Sequence, residues 1–303
     1  MKFFVGITDS KWFNFLADRM ADEANFWRPR STQQFHAIQV GEPFLFKLHS
    51  PADFIVGGGF LVKHEVLPIS LAWKAFGEKN GALTFEDFRQ NIINLGGGTE
   101  FDHRIGCTIL AETFFFKNEE WIPSPPDWKG SIMVGKTYDT AMEIGKNLWA
   151  EVETRLQRLA NKPSLLSAEP KYGAEYLARG RIGQGAFRVL VTDAYTRRCA
   201  ITAERTLPVL EAGHIKPFSE GGGHLITNGL LLRSDLHTLF DRGYITVTPD
   251  LRVEISSRIR EEFDNGKEYY KLHGNLLLVQ PKDKINLPAR EFLQWHNEQK
   301  FAS

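Results

Sequence analysis

The amino-acid sequence predicts an α+β protein made of two domains. In the first part of the chain, apolar residues alternate or run together over short stretches, which is typical of β-strands. The second part contains a strand–loop–strand–helix pattern instead. Between them, residues 161–175 hold proline, serine and glycine, as a linker does. We therefore expect a domain at residues 1–160, a linker at 161–175 and a second domain at 176–303.

The N-terminal part is predicted to be rich in strands. In the second predicted strand, Phe44, Phe46 and Leu48 alternate along one face. Three glycines interrupt the third strand, which predicts a bulge or the close approach of a ligand or another backbone. The predicted strands are Phe3–Thr8, Pro43–His49, Phe54–Val62 and Ile105–Phe116, and the predicted helices are Leu83–Leu95 and Thr140–Leu159.

The C-terminal part is predicted to place polar side chains at a strand end and on a helix. Strands are expected at Leu210–Ile215 and Leu230–Leu232, followed by a helix capped by Ser234. His237 and Asp241 are four residues apart and therefore share one face of that helix. The pattern of Gly243–Ile255 indicates a further strand pair, and Leu287–Phe301 a final helix.

Composition limits the classes of function. Lys plus Arg and Asp plus Glu both total 37, so a surface for nucleic acid must be a local patch on a neutral protein. Cys107 and Cys199 lie far apart, which argues against a disulfide framework and a cysteine-rich zinc site. A modest basic stretch precedes the histidine-rich segment and is either a phosphate-binding surface or a solvated face. Its candidate phosphate ligands are Arg181, Arg188, Arg197 and Arg198.

The chain shows no sign of export or membrane insertion. Its first residues turn polar too early for a signal peptide. No apolar run approaches the roughly 20 residues that span a bilayer. We therefore expect a cytoplasmic protein without a membrane segment.

Three residues in the second half suit metal-assisted hydrolysis of a phosphodiester. His214 ends a predicted strand, and a histidine can take a proton from water because its pKa lies near working pH. Asn228 can orient that imidazole without competing for the proton. A divalent metal held by the helix at His237 can bind a phosphate oxygen and the leaving oxygen. A serine-hydrolase alternative lacks the GxSxG element that presents a nucleophile.

The spacing of these residues resembles the HNH endonuclease motif of the ββα-metal nucleases. Thirteen residues separate His214 from Asn228, and eight separate Asn228 from His237. The surrounding sequence, RCAIT, LEAGHIKPFSEGG and NGLLLRSDLHTLFDRGYI, is similar to one bacterial subfamily. The resemblance implies that His214 is the general base, that Asn228 positions it, and that His237 and Asp241 bind the metal. A site with few protein ligands fits Mg²⁺ or Mn²⁺.

One position departs from the common motif. Many HNH sites place a metal-binding Asp or His directly before the base, but here that residue is Gly213. Glu211 or Asp235 could contribute a ligand instead, or waters could fill the shell. His224 lies in a glycine-rich loop and is expected to be outside the site.

The N-terminal segments VGITD, FKLHS and IVGGGFL resemble those of the PUA superfamily, in particular EVE and ASCH-like domains, over about Lys2–Trp149. This resemblance implies a β-barrel with helices that holds a flipped-out modified base between aromatic walls. Trp27 is the leading aromatic because it is expected in a polar, proline-containing loop; packing in the core is the alternative for each aromatic. The candidate pocket residues are Thr8, Asp9, Trp27, Ser31, His49, Ser50 and Trp73.

A base reader joined to an HNH nuclease resembles the modification-dependent restriction endonucleases of bacteria. The resemblance implies cleavage of double-stranded DNA that carries 5-methylcytosine, 5-hydroxymethylcytosine or a related base. Since one site cuts one strand, it also predicts a homodimer. Two alternatives stay open. The N-terminal domain could read a sequence, an RNA or a nucleotide signal, or the protein could be a non-catalytic nucleic-acid-binding protein.

Overall fold

The computed structural model describes residues 1–30, 35–159, 174–177 and 182–301. The chain packs as two compact units, Met1–Ala186 and Phe187–Ser303. Both contain strands and helices, which confirms the α+β class. The predicted linker at 161–175 lies almost entirely outside the described residues, so its position stays a prediction.

The first unit is built on one seven-stranded sheet with the order β2-β5-β4-β3-β1-β7, and the short β6 pairs with β4. Strands β1 and β3 are parallel, and the other pairs are antiparallel. All four strands predicted here are confirmed, whereas β2, β6 and β7 were not anticipated. The strands are β1 (Lys2–Thr8), β2 (Glu23–Arg28), β3 (Pro43–Leu48), β4 (Phe54–Pro68), β5 (Arg104–Phe115), β6 (Ile122–Pro123) and β7 (Gly135–Asp139).

Two hydrophobic clusters cover the sheet because its strands carry apolar residues on both faces. Phe3 and Val5 of β1 belong to a cluster that includes Val152. Phe4 belongs to the other cluster, which includes Trp12. Neighbouring residues of a strand point to opposite faces, so this single strand contributes to both cores.

The glycines of β4 allow a close backbone approach. A Cβ at Gly57 would lie 2.3 Å from the carbonyl oxygen of Phe114, so only glycine fits there. The register between β4 and β5 shifts between Gly58 and Phe60. The predicted bulge and close approach are both confirmed.

The helices of the first unit include both predicted ones. Asp9 caps the first helix by accepting a hydrogen bond from the amide of Trp12 at 2.8 Å. Thr84 caps the third in the same way, from the amide of Asp87. Such caps satisfy amides that the helix itself leaves unpaired. The helices are α1 (Ser10–Asp18), α2 (Ile69–Phe76), α3 (Phe85–Asn94), α4 (Glu143–Arg158), α5 (Ala174–Leu177) and α6 (Gln184–Ala194), the last of which continues into the second unit.

In the second unit, the end of α6 is followed by an antiparallel hairpin and a helix, in the predicted order. The leucines Leu230–Leu232 are buried, so they form core and not a site. The predicted strand pair and final helix are confirmed. The elements are β8 (Leu210–His214), β9 (Gly229–Arg233), α7 (Ser234–Asp241), β10 (Ile245–Val247), β11 (Val253–Ile255), α8 (Arg258–Phe263), α9 (Lys267–Tyr270) and α10 (Arg290–Gln299).

The predicted capping role of Ser234 is wrong. Strand β9 runs directly into α7, so Ser234 is already the first helical residue and Arg233 occupies the cap position. Arg233 makes no side-chain cap; its guanidinium forms two hydrogen bonds of 2.7 Å with the carboxylate of Asp235.

Two further expectations concern the whole chain. Cys107 and Cys199 are both buried and free. Among the helices that the structure describes, none is long and apolar enough to cross a membrane.

Candidate active site

The β8–β9 hairpin and helix α7 bring Glu211, His237 and Asp241 together. Glu211 and Gly213 are two residues apart on β8 and therefore point to the same side of the hairpin. His237 faces both: its Nδ1 lies 2.8 Å from Oε2 of Glu211, and its Nε2 lies 3.4 Å from Oδ2 of Asp241. One imidazole is thus held between two carboxylates.

Gly213 is the residue that lets His237 approach the strand. A Cβ at this position would lie 2.5 Å from both Cδ2 and Nε2 of His237. The space that a ligand before the base would need is therefore filled by the ring of His237. This packing gives a structural reason for the departure from the common motif.

The hydrogen bond to Glu211 sets the tautomer of His237. A carboxylate can only accept, so Nδ1 of His237 carries the hydrogen and donates it. In the neutral ring, the lone pair on Nε2 then faces the carboxylate of Asp241 across 3.4 Å. Two lone pairs in this position repel unless a proton or a cation lies between them. His237 and Asp241 therefore fit as a pair of ligands for one divalent ion, with Glu211 orienting the histidine.

These two residues form only a partial ligand set. Within the described part of the chain, no three His, Cys, Asp or Glu side chains are grouped so as to hold a metal ion. Desolvation, together with the nearby Glu211 carboxylate, raises the pKa of Asp241, although His237 opposes this shift. Asp235 is paired with Arg233, which also holds its pKa low, and accepts a bond from Tyr269 at 3.3 Å. Glu211, not Asp235, is thus the carboxylate beside His237.

The other half of the site is built from aromatic rings around His214. The ring of Phe187 stacks on His214 with a centroid separation of 4.0 Å and an interplanar angle of 8°. Burial, followed by the charges of His224, His237 and Arg188, lowers the pKa of His214 to about 4. The imidazole is therefore neutral at neutral pH and able to accept a proton.

His224 lies in the glycine-rich loop, as predicted, but it also contacts His214, which was not expected. Nδ1 of His224 lies 2.9 Å from Nε2 of His214, so the two rings share a hydrogen bond. Phe218 stacks on the other ring, with a centroid separation from His224 of 4.8 Å. The loop between β8 and β9 thus folds back onto the end of β8. The spacing of the histidines in the sequence did not indicate this contact.

Asn228, predicted to position His214, acts on the backbone of this loop: its side chain forms hydrogen bonds with Lys216 and Gly223. It is fully buried. Its Oδ1 accepts from the amide of Lys216 at 2.9 Å, and its Nδ2 donates to the carbonyls of Lys216 at 2.9 Å and Gly223 at 3.0 Å. An amide side chain suits this task because it offers both donors and acceptors. Asn228 thus fixes the segments that follow His214 and precede His224.

The candidate phosphate ligands are only partly described. Arg188 lies on α6 close enough to His214 to lower its pKa. Arg197 and Arg198 follow the end of α6 and are half-buried. Arg181 lies outside the described residues.

The candidate base-pocket residues form two groups in the first unit. Thr8 and Asp9 lie at the end of β1 beside His49 and Ser50, and the amide of His49 donates to the carbonyl of Thr8 at 3.1 Å. Trp27 and Trp73 both pack against Phe88, with centroid separations of 5.5 and 5.9 Å. Ser31 lies outside the described residues.

The expected loop position of Trp27 is wrong. The residue lies in β2, and its indole N–H donates to the carbonyl of Asn80 at 2.8 Å. The loop was predicted there because of the proline, but β2 continues up to the proline-containing segment. The half-buried ring of Trp27 and its hydrogen-bonded indole N–H are typical of an aromatic residue packed in the core.

Comparison with known proteins identifies a segment of the second half. Residues 199–248 match the family described as HNH endonuclease. These residues form an HNH endonuclease domain. The chain is accordingly a DNA nuclease, a hydrolase. The matched residues include the site from Glu211 to Asp241, whereas Phe187 and Arg188 precede them.

No curated protein matches the chain in sequence. The N-terminal region resembles the crystal structure of ASCH from Zymomonas mobilis, with 8% identity and a TM-score of 0.34 over 49% of this chain and 94% of that one. The structure of the Type IV phosphorothioation-dependent restriction endonuclease ScoMcrA is also similar, with 12% identity and a TM-score of 0.21 over 78% of this chain and 49% of that one. At these values the likenesses carry no argument about the activity of the HNH domain.

Proposed function

We propose that this chain is a cytoplasmic, metal-dependent endonuclease that cuts double-stranded DNA carrying a modified base, with 5-methylcytosine and 5-hydroxymethylcytosine as the first candidates. The observation that supports the nuclease mechanism best is a neutral His214 stacked on Phe187, close to a His237–Asp241 pair whose Nε2 and Oδ2 atoms are 3.4 Å apart. Dependence on base modification rests on the sequence resemblance of residues 2–149 to base-reading domains.

His214 is the proposed general base. Its lowered pKa keeps the ring unprotonated in the resting enzyme, so it can take a proton from water. A pKa of about 4 makes a weak base, but a DNA phosphate beside the ring adds negative charge. That charge favours the imidazolium and moves the pKa towards the working range. Stacking on Phe187 keeps the plane of the ring fixed while the proton moves.

His237 and Asp241 would hold Mg²⁺ or Mn²⁺, with Glu211 fixing the tautomer of His237. When bound, the ion supplies Lewis-acid stabilisation of negative charge on the phosphate oxygens. Arg188, on the neighbouring helix α6, adds positive charge on the side of His214. The candidate phosphate ligands Arg181, Arg197 and Arg198 would extend this surface along the DNA backbone.

The nuclease part is tested by nicking of a supercoiled plasmid. We expect cleavage with Mg²⁺ or Mn²⁺ and none in EDTA. We expect His214→Ala and Asp241→Asn each to lower the rate by at least about 100-fold, as loss of a catalytic base or metal ligand does. Glu254→Gln, a substitution on β11, is the matched control. Absence of cleavage with every divalent metal would favour the non-catalytic alternative.

The modification dependence is tested with one plasmid prepared with cytosine, 5-methylcytosine or 5-hydroxymethylcytosine. We expect preferred cutting of at least one modified form. Equal cutting of all three plasmids contradicts this part of the proposal and leaves the nuclease assignment intact. The same assay with RNA tests the alternative that the N-terminal domain reads an RNA. Double-strand cleavage with one site per chain also requires two copies, which light scattering of the DNA complex measures.

In the first unit, the residues at the end of β1 and β3 are the better candidates for the base pocket. Thr8 and Asp9 lie beside the exposed His49 and Ser50, whereas Trp27 and its indole N–H are already engaged in packing. We expect His49→Ala to reduce discrimination between modified and unmodified plasmid without lowering the rate on a nonspecific substrate.

A further inference from the structure

His214 and His224 share a single hydrogen bond, and its direction has a chemical consequence. Nε2 of His214 and Nδ1 of His224 are 2.9 Å apart, and only one hydrogen fits between them. Either His214 donates from Nε2, which leaves its Nδ1 with a lone pair, or His224 donates from Nδ1, which uses the Nε2 lone pair of His214. The two arrangements give His214 different abilities as a base.

Only the first arrangement lets His214 accept a proton without losing its partner. With the hydrogen on Nε2, the proton from water goes to Nδ1, and both ring nitrogens then carry hydrogens. The bond to His224 persists and becomes charge-assisted, which shortens and strengthens it. In the second arrangement Nε2 is occupied and Nδ1 already carries its hydrogen, so proton uptake requires the bond to break.

The surrounding contacts hold His224 where it can accept this bond. Phe218 stacks on its ring at an interplanar angle of 14°, and Phe187 stacks on the ring of His214. Asn228 binds the carbonyl of Gly223, directly before His224, and both the amide and the carbonyl of Lys216, two residues after His214. The two histidines are thus fixed at both ends of the same loop.

We propose that His224 is a positioning residue that accepts the Nε2 hydrogen of His214 and so leaves Nδ1 as the basic nitrogen. This inference rests on the proposed role of His214 as general base. In the reaction, one proton passes from water to Nδ1 of His214. The electron pair of that O–H bond forms the new bond from oxygen to phosphorus, while the bond to the leaving oxygen breaks with its electrons and that oxygen takes a proton from solvent water. The imidazolium then returns its proton to solvent.

Two variants separate the hydrogen bond from the packing. In His224→Asn the amide oxygen takes roughly the place of Nδ1 and can still accept. In His224→Phe the ring still stacks on Phe218 but has no acceptor. Glu220→Ala, an exposed substitution in the same loop, is the control. Circular dichroism and thermal unfolding establish that each variant is folded.

The first readout is independent of cleavage. Long-range ¹H–¹⁵N correlation spectra of the metal-free, histidine-labelled full chain report the tautomer of each ring, with His214 assigned from the spectrum of His214→Gln. We expect His214 to be neutral with its hydrogen on Nε2 in the wild type, in His224→Asn and in Glu220→Ala. We expect His224→Phe to lose this single tautomer. A wild-type His214 with its hydrogen on Nδ1 overturns the proposal whatever the enzyme's activity.

The second readout is kinetic. With Mn²⁺ and plasmid DNA, we expect His224→Phe to lower kcat about 10- to 100-fold with KM unchanged, since general-base catalysis contributes roughly 10²–10⁴-fold. We expect His224→Asn to recover most of that loss. A folded His224→Phe enzyme with wild-type kcat overturns the positioning role. If His214→Gln cuts as well as the wild type, the general-base assignment fails instead, and the spectra still decide the direction of the hydrogen bond.

Discussion

Restoring the ligand that many HNH motifs carry before the base should damage this enzyme. If the site merely lacked a ligand at Gly213, then Gly213→Asp would tighten metal binding and raise the cleavage rate. The structure predicts the opposite. A Cβ here would lie 2.5 Å from Cδ2 and Nε2 of His237, about 0.9 Å short of the 3.4 Å at which ordinary contact begins. The histidine ring must therefore retreat by about 1 Å.

The size of the effect follows from that displacement. Moving a catalytic group by about 1 Å costs on the order of 10²-fold in rate. Forcing an extra carbon into a packed position also costs about 1–3 kcal/mol of stability. Gly213→Ala should show both effects without adding a carboxylate, so we expect it and Gly213→Asp to lose about 100-fold in kcat.

The assay compares plasmid nicking and urea unfolding for Gly213→Ala, Gly213→Asp and the wild type across a range of Mn²⁺ concentrations. Gly130→Ala is the matched control, because a Cβ there meets nothing within 4 Å. We expect this control to be indistinguishable from the wild type. A Gly213→Asp enzyme that binds Mn²⁺ more tightly and cuts faster would refute the placement of His237 against the strand.

Three further predictions concern buried polar groups. Asn228→Ala removes three hydrogen bonds inside the loop and should cost roughly 2–4 kcal/mol in urea unfolding. Glu23 accepts from the first amides of α6 at 2.9 and 3.1 Å, so Glu23→Gln should cost about 1–3 kcal/mol, whereas Asp22→Asn, at an exposed site, should cost less than about 1 kcal/mol. Burial lowers the pKa of His296 from 6.5 to about 4. Between these pH values the unfolded chain binds more protons than the folded one. The free energy of unfolding should therefore fall as pH drops through this window, by up to about 3 kcal/mol. Urea midpoints at pH 7 and pH 4.5 should differ less in His296→Gln.

Local patterns in the sequence were enough to locate most strands and helices. Strands β1, β3 and β5 are rich in apolar residues, in short runs or in alternation, and such patterns indicate strands without knowledge of their partners. Strand β2 was not predicted because it contains Glu23 and Asn25, which are polar yet buried. Their burial depends on partners more than 50 residues away, namely Lys79 for Glu23 and Asn80 for Asn25. No local pattern predicts such long-range pairing.

The candidate site divides in the same way. The spacing of His214, Asn228 and His237 is a one-dimensional signature, and it located the hairpin and helix correctly. The role of His224 depends on how the loop folds back, which a string of glycines does not encode. Gly213 carried a usable signal, since a glycine inside a strand suggests that another group approaches closely. The comparison with the HNH motif identified an absent ligand at Gly213, but not the ring of His237 that fills the space.

The alternation of side chains along β8 separates the two tasks of the site. Glu211 and Gly213 point towards His237 and Asp241, so the carboxylates gather on that side and favour a cation. His214 points away from Glu211 into the rings of Phe187 and His224, where burial keeps it neutral. A base beside two carboxylates would have its pKa raised and would be protonated more of the time. The alternation along β8 thus keeps the proposed proton acceptor, His214, on the opposite side of the strand from Glu211, which faces the proposed cation-binding pair His237 and Asp241 of α7.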